Sequence, residues 1–230
     1  MSSTPDGEFE GSDGPETGHD APAPNEPAEE MSAQRLQRLA AILSTPGDSA
    51  LAALLDAVRG ADPRAATALR ELLSDPARVR AIETSRLLDD EPHPAVDVAI
   101  GLTIDALGVS YAALNVITAE GQTNASIAWQ AGKPGHKGTR PLLDSLCVYP
   151  VVSDSMLVVD DIADHPVLSE HSTARNGEVS SYLGIPLHAD DGHVIGTFCV
   201  WNTEPHHWSS SDIALLTDLS VVVQEAVIRG

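Results

Sequence analysis

The chain has 230 residues, long enough for one sizeable folded core with additional elements. Its 34 Asp and Glu residues outnumber 13 Lys and Arg, and the formal charge of −21 would repel phosphate backbones and anionic membrane surfaces, so neither nucleic acid nor a membrane is an expected partner. The two cysteines are widely separated, and the chain has no export signal and no apolar run of membrane-spanning length, which together indicate a cytoplasmic protein.

Residues 1–30 are predicted to form a disordered acidic tail. They contain nine acidic residues, no Lys or Arg, and many Pro, Gly, Ser and Thr. A segment of this composition buries too little apolar surface to offset the entropy that it loses on ordering.

Residues 31–88 are predicted to form a helical extension. Apolar residues recur there every three or four positions, which is the spacing of one helix face. Asp62-Pro63 and Asp75-Pro76 each combine an N-cap acceptor with a proline at the first helical position. Two interpretations remain open: a small bundle that binds a partner, or an extension packed on the main domain.

Residues 89–230 are predicted to form the main domain, which begins with a helix and continues as an antiparallel sheet. The helix carries an apolar stripe between Val96 and Leu107 and ends at Gly108. Five runs of strand-forming residues follow, at 110–118, 123–132, 156–161, 180–189 and 193–202.

Two turn and cap signals define the end of this domain. Asp191-Gly192 predicts a type I′ hairpin, in which both central residues take positive φ. Ser209 and Asp212 predict a capping box at the start of a long closing helix over 209–228. The fold class is therefore α+β, with helices flanking an antiparallel sheet.

Four stretches in this order resemble the GAF domain, a PAS-like module of bacterial sensory and regulatory proteins, over about residues 86–228. They are "SRLLDDEPHPAVDVAIGLTIDALG", "SLCVYPVVSDSMLVVDDIADHP", "YLGIPL" and "DDGHVIGTFCVWNTEPHHWSSSDIALLTDLS". The resemblance implies a cavity that binds a small molecule, a homodimer formed on the helices at 94–107 and 209–228, and a signalling protein as a possible partner.

The resemblance also implies a set of pocket residues. It places Ser145 and Cys147 on the helical segment over the sheet, Asp160 and Asp161 at the pocket rim, and two further residues on strands beneath or beside the pocket, Tyr182 and Cys199. Asn202 and His206 replace an acid and an arginine that are usual in the family, so an ion pair at the closing helix is expected to be missing. The signature of the members that bind cyclic nucleotides is absent.

The chemistry of Cys147 has three possible interpretations: a thiol of the core or pocket wall, a redox nucleophile, or a point of covalent ligand attachment. Its neighbours in sequence, Leu146, Val148 and Tyr149, supply no cation that would stabilise a thiolate, so a shielded thiol in apolar surroundings is expected. The cysteines also lack the paired arrangement of the GAF proteins that reduce methionine sulfoxide.

The histidines and the loop "GKPGHKG" provide weaker candidates. No histidine pair has the spacing of a helical zinc site, and no metal site is predicted. His165 and His171 flank the expected pocket loop and could bind a haem iron or an anion, although solvated loop histidines are commoner. "GKPGHKG" lacks the setting of a phosphate-binding loop and is predicted to be a mobile loop.

The sequence therefore predicts a non-enzymatic GAF sensor or regulatory module, which binds a small molecule and relays its state through terminal helices or a dimer interface. The alternative is a small thiol-dependent redox enzyme that uses Cys147, with Cys199. A third interpretation makes residues 32–88 the working surface and the main domain a scaffold.

Overall fold

The computed structural model of the chain describes residues 52–56, 63–89, 93–129, 133–134 and 138–229. The predicted acidic tail at 1–30 and the first part of the helical extension lie outside the described residues. None of the helices within the described ranges is both long enough and apolar enough to cross a membrane.

Six helices with fully described bounds and seven strands follow one another along the described part of the chain. The helices are α1 (Pro63–Leu73), α2 (Pro76–Ser85), α3 (Pro94–Leu107), α4 (Val148–Ser153), α5 (Ser172–Arg175) and α6 (Ser210–Arg229), with 3-10 turns at Leu142–Asp144 and Leu168–Glu170. The strands are β1 (Tyr111–Ile117), β2 (Gln122–Trp129), β3 (Lys133–Pro134), β4 (Thr139–Arg140), β5 (Leu157–Val159), β6 (Ser181–His188) and β7 (Val194–Asn202). Residues 52–56 are also helical.

The strands form one antiparallel seven-stranded sheet, in the order β3-β2-β1-β7-β6-β5, with β4 also paired to β2. This confirms the predicted fold class of helices flanking an antiparallel sheet. Sequence analysis missed β3 and β4, because strands of two residues have no periodicity. The segment predicted as a mobile loop therefore contributes Lys133 and Pro134 to the sheet.

One face of the sheet is covered by α3 and α6, which pack against each other. Alternate residues of β1 point to this face, among them Leu114 and Val116, because successive side chains of a strand point to opposite sides. The predicted stripe of α3 is buried against them, and Gly108 ends that helix with a φ of 64°. The packing of this face thus follows the pattern predicted from the sequence.

The opposite face is covered by α4, by α1 and by residues 52–56, whereas the buried apolar residues of α2, Ala81 and Ile82, belong to the core cluster of α3 and α6. The buried leucines of the extension share one core cluster with residues of β1, β7 and α4; they are Leu54, Leu55, Leu69 and Leu73. Asp75 caps α2, as predicted, by accepting hydrogen bonds from the backbone N–H groups of Ala77 and Arg78. The four leucines are packed on the sheet, and whether the extension also binds a partner stays a prediction.

Arg78 joins the extension to the sheet. Its guanidinium is buried and donates to three backbone carbonyls: Leu73 at the end of α1, Ile117 at the end of β1, and Val194 at the start of β7, at 3.0, 2.5 and 2.8 Å. Burial lowers the pKa of Arg78 to about 10, so the side chain stays charged at neutral pH.

The hairpin between β6 and β7 differs from the prediction. Gly192 has a φ of 85°, but Asp191 does not have positive φ, so the predicted type I′ turn is wrong. The Gly192 N–H donates to Ala189 O, and the Ala189 N–H donates to His193 O, both at 2.9 Å. A three-residue loop with glycine in the left-handed region closes the strands instead, which is the next most common solution for hairpins.

Candidate functional site

A cavity of about 530 Å³ opens on the sheet face that carries α4 and α1, within the roughly 300–1,000 Å³ range of small-molecule sites. Strands β1, β2, β6 and β7 form its base, and the segments around 138–147 and 173–179 form its sides. Its lining residues are Tyr111, Asn115, Gln122, Asn124, Ile127, Trp129, Gly138, Thr139, Arg140, Asp144, Leu146, Cys147, Thr173, Glu178, Val179, Tyr182, Cys199, Trp201 and Thr203.

The two cysteines meet at the base of this cavity. Their sulfur atoms lie 3.6 Å apart, although 52 positions separate them in sequence. Asn115 Nδ2 donates to Cys147 Sγ and Cys199 Sγ at 3.3 and 3.4 Å, and Tyr182 Oη lies 3.3 Å from Cys147 Sγ. Asn115 Oδ1 is buried without a hydrogen-bond partner. The base of the cavity is therefore a polar cluster of two thiols, a phenol and an amide.

Small residues on the neighbouring strands make room for this cluster. Cys199 lies in the middle of β7, opposite Ala113 of β1 and Gly184 of β6. A Cβ atom on Gly184 would clash with the phenol of Tyr182, so glycine is required for the tyrosine to lie where it does. Cys147 precedes α4, and its carbonyl accepts a hydrogen bond from Thr197 Oγ1 at 3.2 Å.

The cluster gives the two thiols different acidities. The hydrogen bond with Cys199, aided by those with Tyr182 and Asn115, lowers the pKa of Cys147 although the thiol is buried. The same bond with Cys147, together with burial, raises the pKa of Cys199 well above its ordinary value. Burial and the adjacent Cys147 likewise raise the pKa of Tyr182.

This arrangement corrects two expectations from the sequence. Cys147 is shielded, as expected, but its surroundings are not simply apolar, because Asn115 and Tyr182 come from strands far away in sequence. The long separation of the two cysteines also does not keep them apart, since Cys199 lies on β7 beneath the segment that carries Cys147. Proximity across a sheet depends on strand order, which cysteine spacing does not reveal.

One wall of the cavity is aromatic and the opposite wall is polar. Tyr111 and Trp201 stack in parallel, with ring centroids 5.0 Å apart and an interplanar angle of 8°. Gln122 Nε2 donates to Asn124 Oδ1 at 2.9 Å, and Ser145 Oγ donates to Gln122 Oε1 at 2.6 Å. Such a combination suits a ligand that has both a flat apolar part and hydrogen-bonding edges.

Charged side chains stand at the side of the cavity. Arg140 Nη1 forms an ion pair with Glu178 Oε2 at 2.8 Å and also donates to Asp144 O at 3.3 Å. Asp144 Oδ1 accepts a hydrogen bond from Ser172 Oγ at 2.5 Å. The described lining residues thus include two carboxylates, Asp144 and Glu178, and one cationic side chain, Arg140.

The six predicted site residues divide into three groups. Cys147, Tyr182 and Cys199 line the cavity. Ser145 lies behind the wall, where its hydroxyl holds Gln122 in place. Asp160 and Asp161 are not on the cavity wall: Asp161 Oδ1 accepts a hydrogen bond from the Ala163 N–H in its own loop, and Asp160 faces the start of α6.

Asp160 connects β5 to the closing helix. Its carboxylate accepts from the Trp208 N–H at 3.0 Å and contacts His207 Nδ1 at 2.6 Å, and these bonds lower its pKa. Trp208 Nε1 donates to Val159 O at 3.0 Å. The contact between Asp160 and His207 is separate from the ion pair that Asn202 and His206 are expected to lack, so that expectation stays a prediction.

The two histidines considered as ligands have structural roles. His165 Nδ1 accepts from the N–H groups of Val167 and Leu168, and His171 Nδ1 accepts from the N–H of Thr173 at the start of α5. Across the residues that the structure describes, no group of three or more His, Cys, Asp or Glu side chains is placed to hold a metal ion.

Sequence analysis missed several residues of the cavity, among them Asn115, Gln122, Asn124 and Arg140. One signal was available for the first of them. Asn115 interrupts the otherwise apolar strand "YAALNVI", and a polar residue inside a buried strand needs a partner or a function. Arg140 gave no such signal, because its place depends on the pairing of β4 with β2.

The family model described as GAF domain matches residues 91–227, more than half of the chain. A GAF domain of an Acinetobacter phosphoenolpyruvate-protein phosphotransferase is similar at 13% identity and a TM-score of 0.47, over 66% of this chain and 94% of that one. A free methionine-R-sulfoxide reductase from Neisseria meningitidis, solved with its substrate, is similar at 18% identity and a TM-score of 0.47, over 70% and 89%. No curated protein matches the chain.

Proposed function

We propose that this chain, which belongs to the GAF domain family, is a sensor or regulatory module that binds a small molecule in the cavity over β1, β2, β6 and β7. It has no catalytic turnover of its own in this proposal. The observation that carries it is the cavity itself, with an aromatic wall, a polar wall and a buried amide oxygen, Asn115 Oδ1, that lacks a hydrogen-bond donor.

The ligand class follows from the walls. The stacked rings of Tyr111 and Trp201, with Trp129 beside them on the cavity wall, favour a flat apolar or heteroaromatic group. Gln122 and Asn124 offer donors and acceptors to its edges. A ligand N–H or O–H that reached Asn115 Oδ1 would satisfy a buried acceptor, which stabilises the complex.

Output from the cavity is proposed to pass through the terminal helices. Tyr182 lies on the cavity wall, and its strand, β6, pairs with β5. Val159 at the end of β5 and Asp160 directly after it both accept hydrogen bonds from Trp208. Trp208 directly precedes the capping box of α6, so a shift of β6 and β5 moves the start of that helix. The receiver is a second copy of the chain or a separate signalling protein.

Native mass spectrometry of the protein purified from its own host tests the ligand proposal. We expect a small molecule on the wild type that is released on denaturation. The molecule should be lost from Trp129→Ala, which removes part of the aromatic wall, and retained on Val98→Ala, an exposed position of α3 far from the cavity. Absence of any retained molecule, together with no rise in melting temperature from host metabolite extract, would contradict the proposal.

Tryptophan fluorescence gives a second measurement. Two of the three tryptophans, Trp129 and Trp201, line the cavity, while Trp208 is buried in the core on the other face. The recovered molecule should change the emission of the wild type. The emission change should be smaller in a Trp129→Phe/Trp201→Phe variant, which has only Trp208 and still binds the molecule by mass spectrometry.

The second candidate function is a thiol-dependent redox enzyme, which is favoured by the 3.6 Å distance between Cys147 Sγ and Cys199 Sγ. The two candidates differ in turnover. An enzyme converts many equivalents of the molecule recovered from the cavity per chain when a thiol reductant is supplied, and it loses this activity in Cys147→Ser. A sensor binds its ligand without converting it.

A further inference from the structure

We propose that Cys147 and Cys199 form a redox-active dithiol, which a small uncharged hydroperoxide entering the cavity oxidises to an intramolecular disulfide. The module would then have a redox input in addition to its ligand. This inference does not depend on the ligand proposed above, because it concerns the two sulfur atoms alone and its test uses no other molecule bound in the cavity.

The geometry allows the disulfide to form without rearrangement of the strands. The sulfurs are 3.6 Å apart, and a disulfide bond needs about 2.05 Å. Cys199 has only Ala113 and Gly184 beside it on the neighbouring strands. Thr197 Oγ1 holds the carbonyl of Cys147, so rotation about the Cα–Cβ bond of Cys147 is the movement that closes the gap.

The hydrogen bonds assign different roles to the two thiols. Cys147 Sγ is within hydrogen-bond distance of three groups that can donate to it, Asn115 Nδ2, Tyr182 Oη and the Cys199 thiol, all of which favour a thiolate at Cys147. Cys199 keeps its proton because it donates to that thiolate. Cys147 is therefore the nucleophile and Cys199 is the resolving thiol.

The cavity indicates the class of oxidant. Cys147 and Cys199 are 3% and 1% exposed, yet both lie on the cavity wall, so a small molecule reaches them more readily than a bulky reagent. Asp144 adds a negative charge beside the Arg140–Glu178 ion pair at the side of the cavity, which disfavours anionic oxidants. The aromatic wall accepts the organic part of an uncharged hydroperoxide.

The chemistry balances in two steps. In the first, the Cys147 thiolate attacks the terminal oxygen of the hydroperoxide; the O–O bond breaks, a sulfenic acid forms on Cys147, and the alkoxide leaves with a proton as an alcohol. In the second, Cys199 gives up its proton and attacks the Cys147 sulfur, the S–O bond breaks, and water leaves. Two thiols and one hydroperoxide become one disulfide, one alcohol and one water.

The test treats the reduced full chain with one equivalent of cumene hydroperoxide and then alkylates it under denaturing conditions. Because the chain has only two cysteines, mass spectrometry reads the result directly. We expect both alkylation sites to be lost together, on a chain that stays monomeric in a non-reducing gel. Two equivalents of a small thiol reductant should restore both sites.

The rate of oxidation tests the role of the fold. The native chain should react faster than the urea-unfolded chain at the same pH, since the hydrogen bonds to Cys147 Sγ lower the thiol pKa and raise the thiolate fraction. Equal rates in the two states, two alkylatable thiols remaining after excess oxidant, or a disulfide between two chains would overturn the proposal.

Variants test the assignment of roles. Cys199→Ser should stop at a sulfenic acid on Cys147 that reacts with dimedone, whereas Cys147→Ser should form none. Tyr182→Phe should slow oxidation severalfold, because it removes a hydrogen bond to Cys147 Sγ. Tyr149→Phe makes the same chemical change at a buried tyrosine off the cavity wall and should leave the rate unchanged. Sulfenic acid on Cys199 instead, or equal rates for the two phenylalanine variants, would overturn the assignment.

Discussion

At the residue scale, the acidity of Cys147 depends on where Tyr182 lies. Tyr182 and Gly184 are two positions apart on β6, so both face the cavity side of the sheet. The phenol lies over Gly184, where any Cβ atom would displace it. Gly184 therefore helps to position one of the groups that stabilise the thiolate.

Gly184→Ala should raise the pKa of Cys147, because the methyl group displaces the phenol from its hydrogen bond. The overpacking should also lower the free energy of unfolding by about 1–3 kcal/mol. Titration of the thiol by its alkylation rate against pH measures the first effect, and chemical denaturation measures the second. An unchanged thiol titration in a folded Gly184→Ala variant would contradict this account.

Gly101→Ala is the matched control for that substitution. Gly101 lies inside α3 with open space where a Cβ would be. The same change there should leave the thiol titration unaltered and raise the free energy of unfolding by about 0.5–1 kcal/mol, because alanine has the higher helix propensity.

At the scale of elements, the start of α6 is held by two separate sets of bonds. Within the helix, the Ser209 N–H donates to Asp212 Oδ2 and the Asp212 N–H donates to Ser209 Oγ, at 2.9 and 3.2 Å, which confirms the predicted capping box. From outside, Asp160 holds His207 and the Trp208 N–H. The first set is local in sequence and the second joins the helix to β5.

Asp160→Asn should lower the free energy of unfolding by about 0.5–1.5 kcal/mol, since it weakens the bonds to His207 and the Trp208 N–H. The loss should depend on pH. Because the fold lowers the pKa of the Asp160 carboxyl, its contribution is present above pH ~4 and is lost as the pH falls through the lowered pKa.

Denaturation of both proteins across the acid range measures this dependence. Asp164→Asn, at an exposed aspartate of the same loop, is the control and should change the free energy of unfolding little at any pH. If the difference in free energy of unfolding between the wild type and Asp160→Asn grew as the pH fell, the carboxylate would have another role.

Arg78 acts between elements, because it serves carbonyls at the ends of α1 and β1 and at the start of β7. Arg78→Met keeps the apolar stem but leaves those three carbonyls without this donor, so the free energy of unfolding should fall by about 3 kcal/mol or more. Arg80→Met, at an exposed position of the same helix, should change it by less than about 0.5 kcal/mol. Chemical denaturation measures both, and equal effects would contradict the role given to Arg78.

At the scale of the whole molecule, the two helices on the far face of the sheet leave apolar side chains exposed. Val98 and Leu102 of α3 are 62% and 56% exposed, and Val221 and Val222 of α6 are 55% and 54% exposed. Since α3 and α6 pack against each other, these residues belong to one layer of the fold. Exposed apolar residues grouped in this way are typical of an interface.

We predict that this layer mediates self-association. Sedimentation at micromolar concentration should show a dimer of the 24.1 kDa chain, and Val222→Glu should give a monomer because it places a charge in the interface. Val158→Glu, at an exposed valine of β5 on the sheet edge, should remain dimeric. A monomeric wild type would exclude the prediction.

Local patterns in the sequence were sufficient to predict much of the fold. The stripe of α3, its end at Gly108, the Asp75 cap of α2, the Ser209–Asp212 capping box and the five longer strands all rest on residues a few positions apart. Such features depend on backbone geometry and short-range hydrogen bonds, so they can be recognised without knowledge of the tertiary structure. The resemblance of four stretches of the sequence to the GAF domain is confirmed by the family match.

The tertiary structure alone decided which of these residues meet. Cys147 and Cys199 are paired because β7 lies between β1 and β6, and Asn115 and Tyr182 reach the sulfurs from those two strands. Asp160 turned out to hold the closing helix instead of the cavity, because its carboxylate faces the Trp208 N–H. Strand order and register determine such contacts between residues far apart in sequence, and no local pattern around a cysteine or an aspartate encodes them.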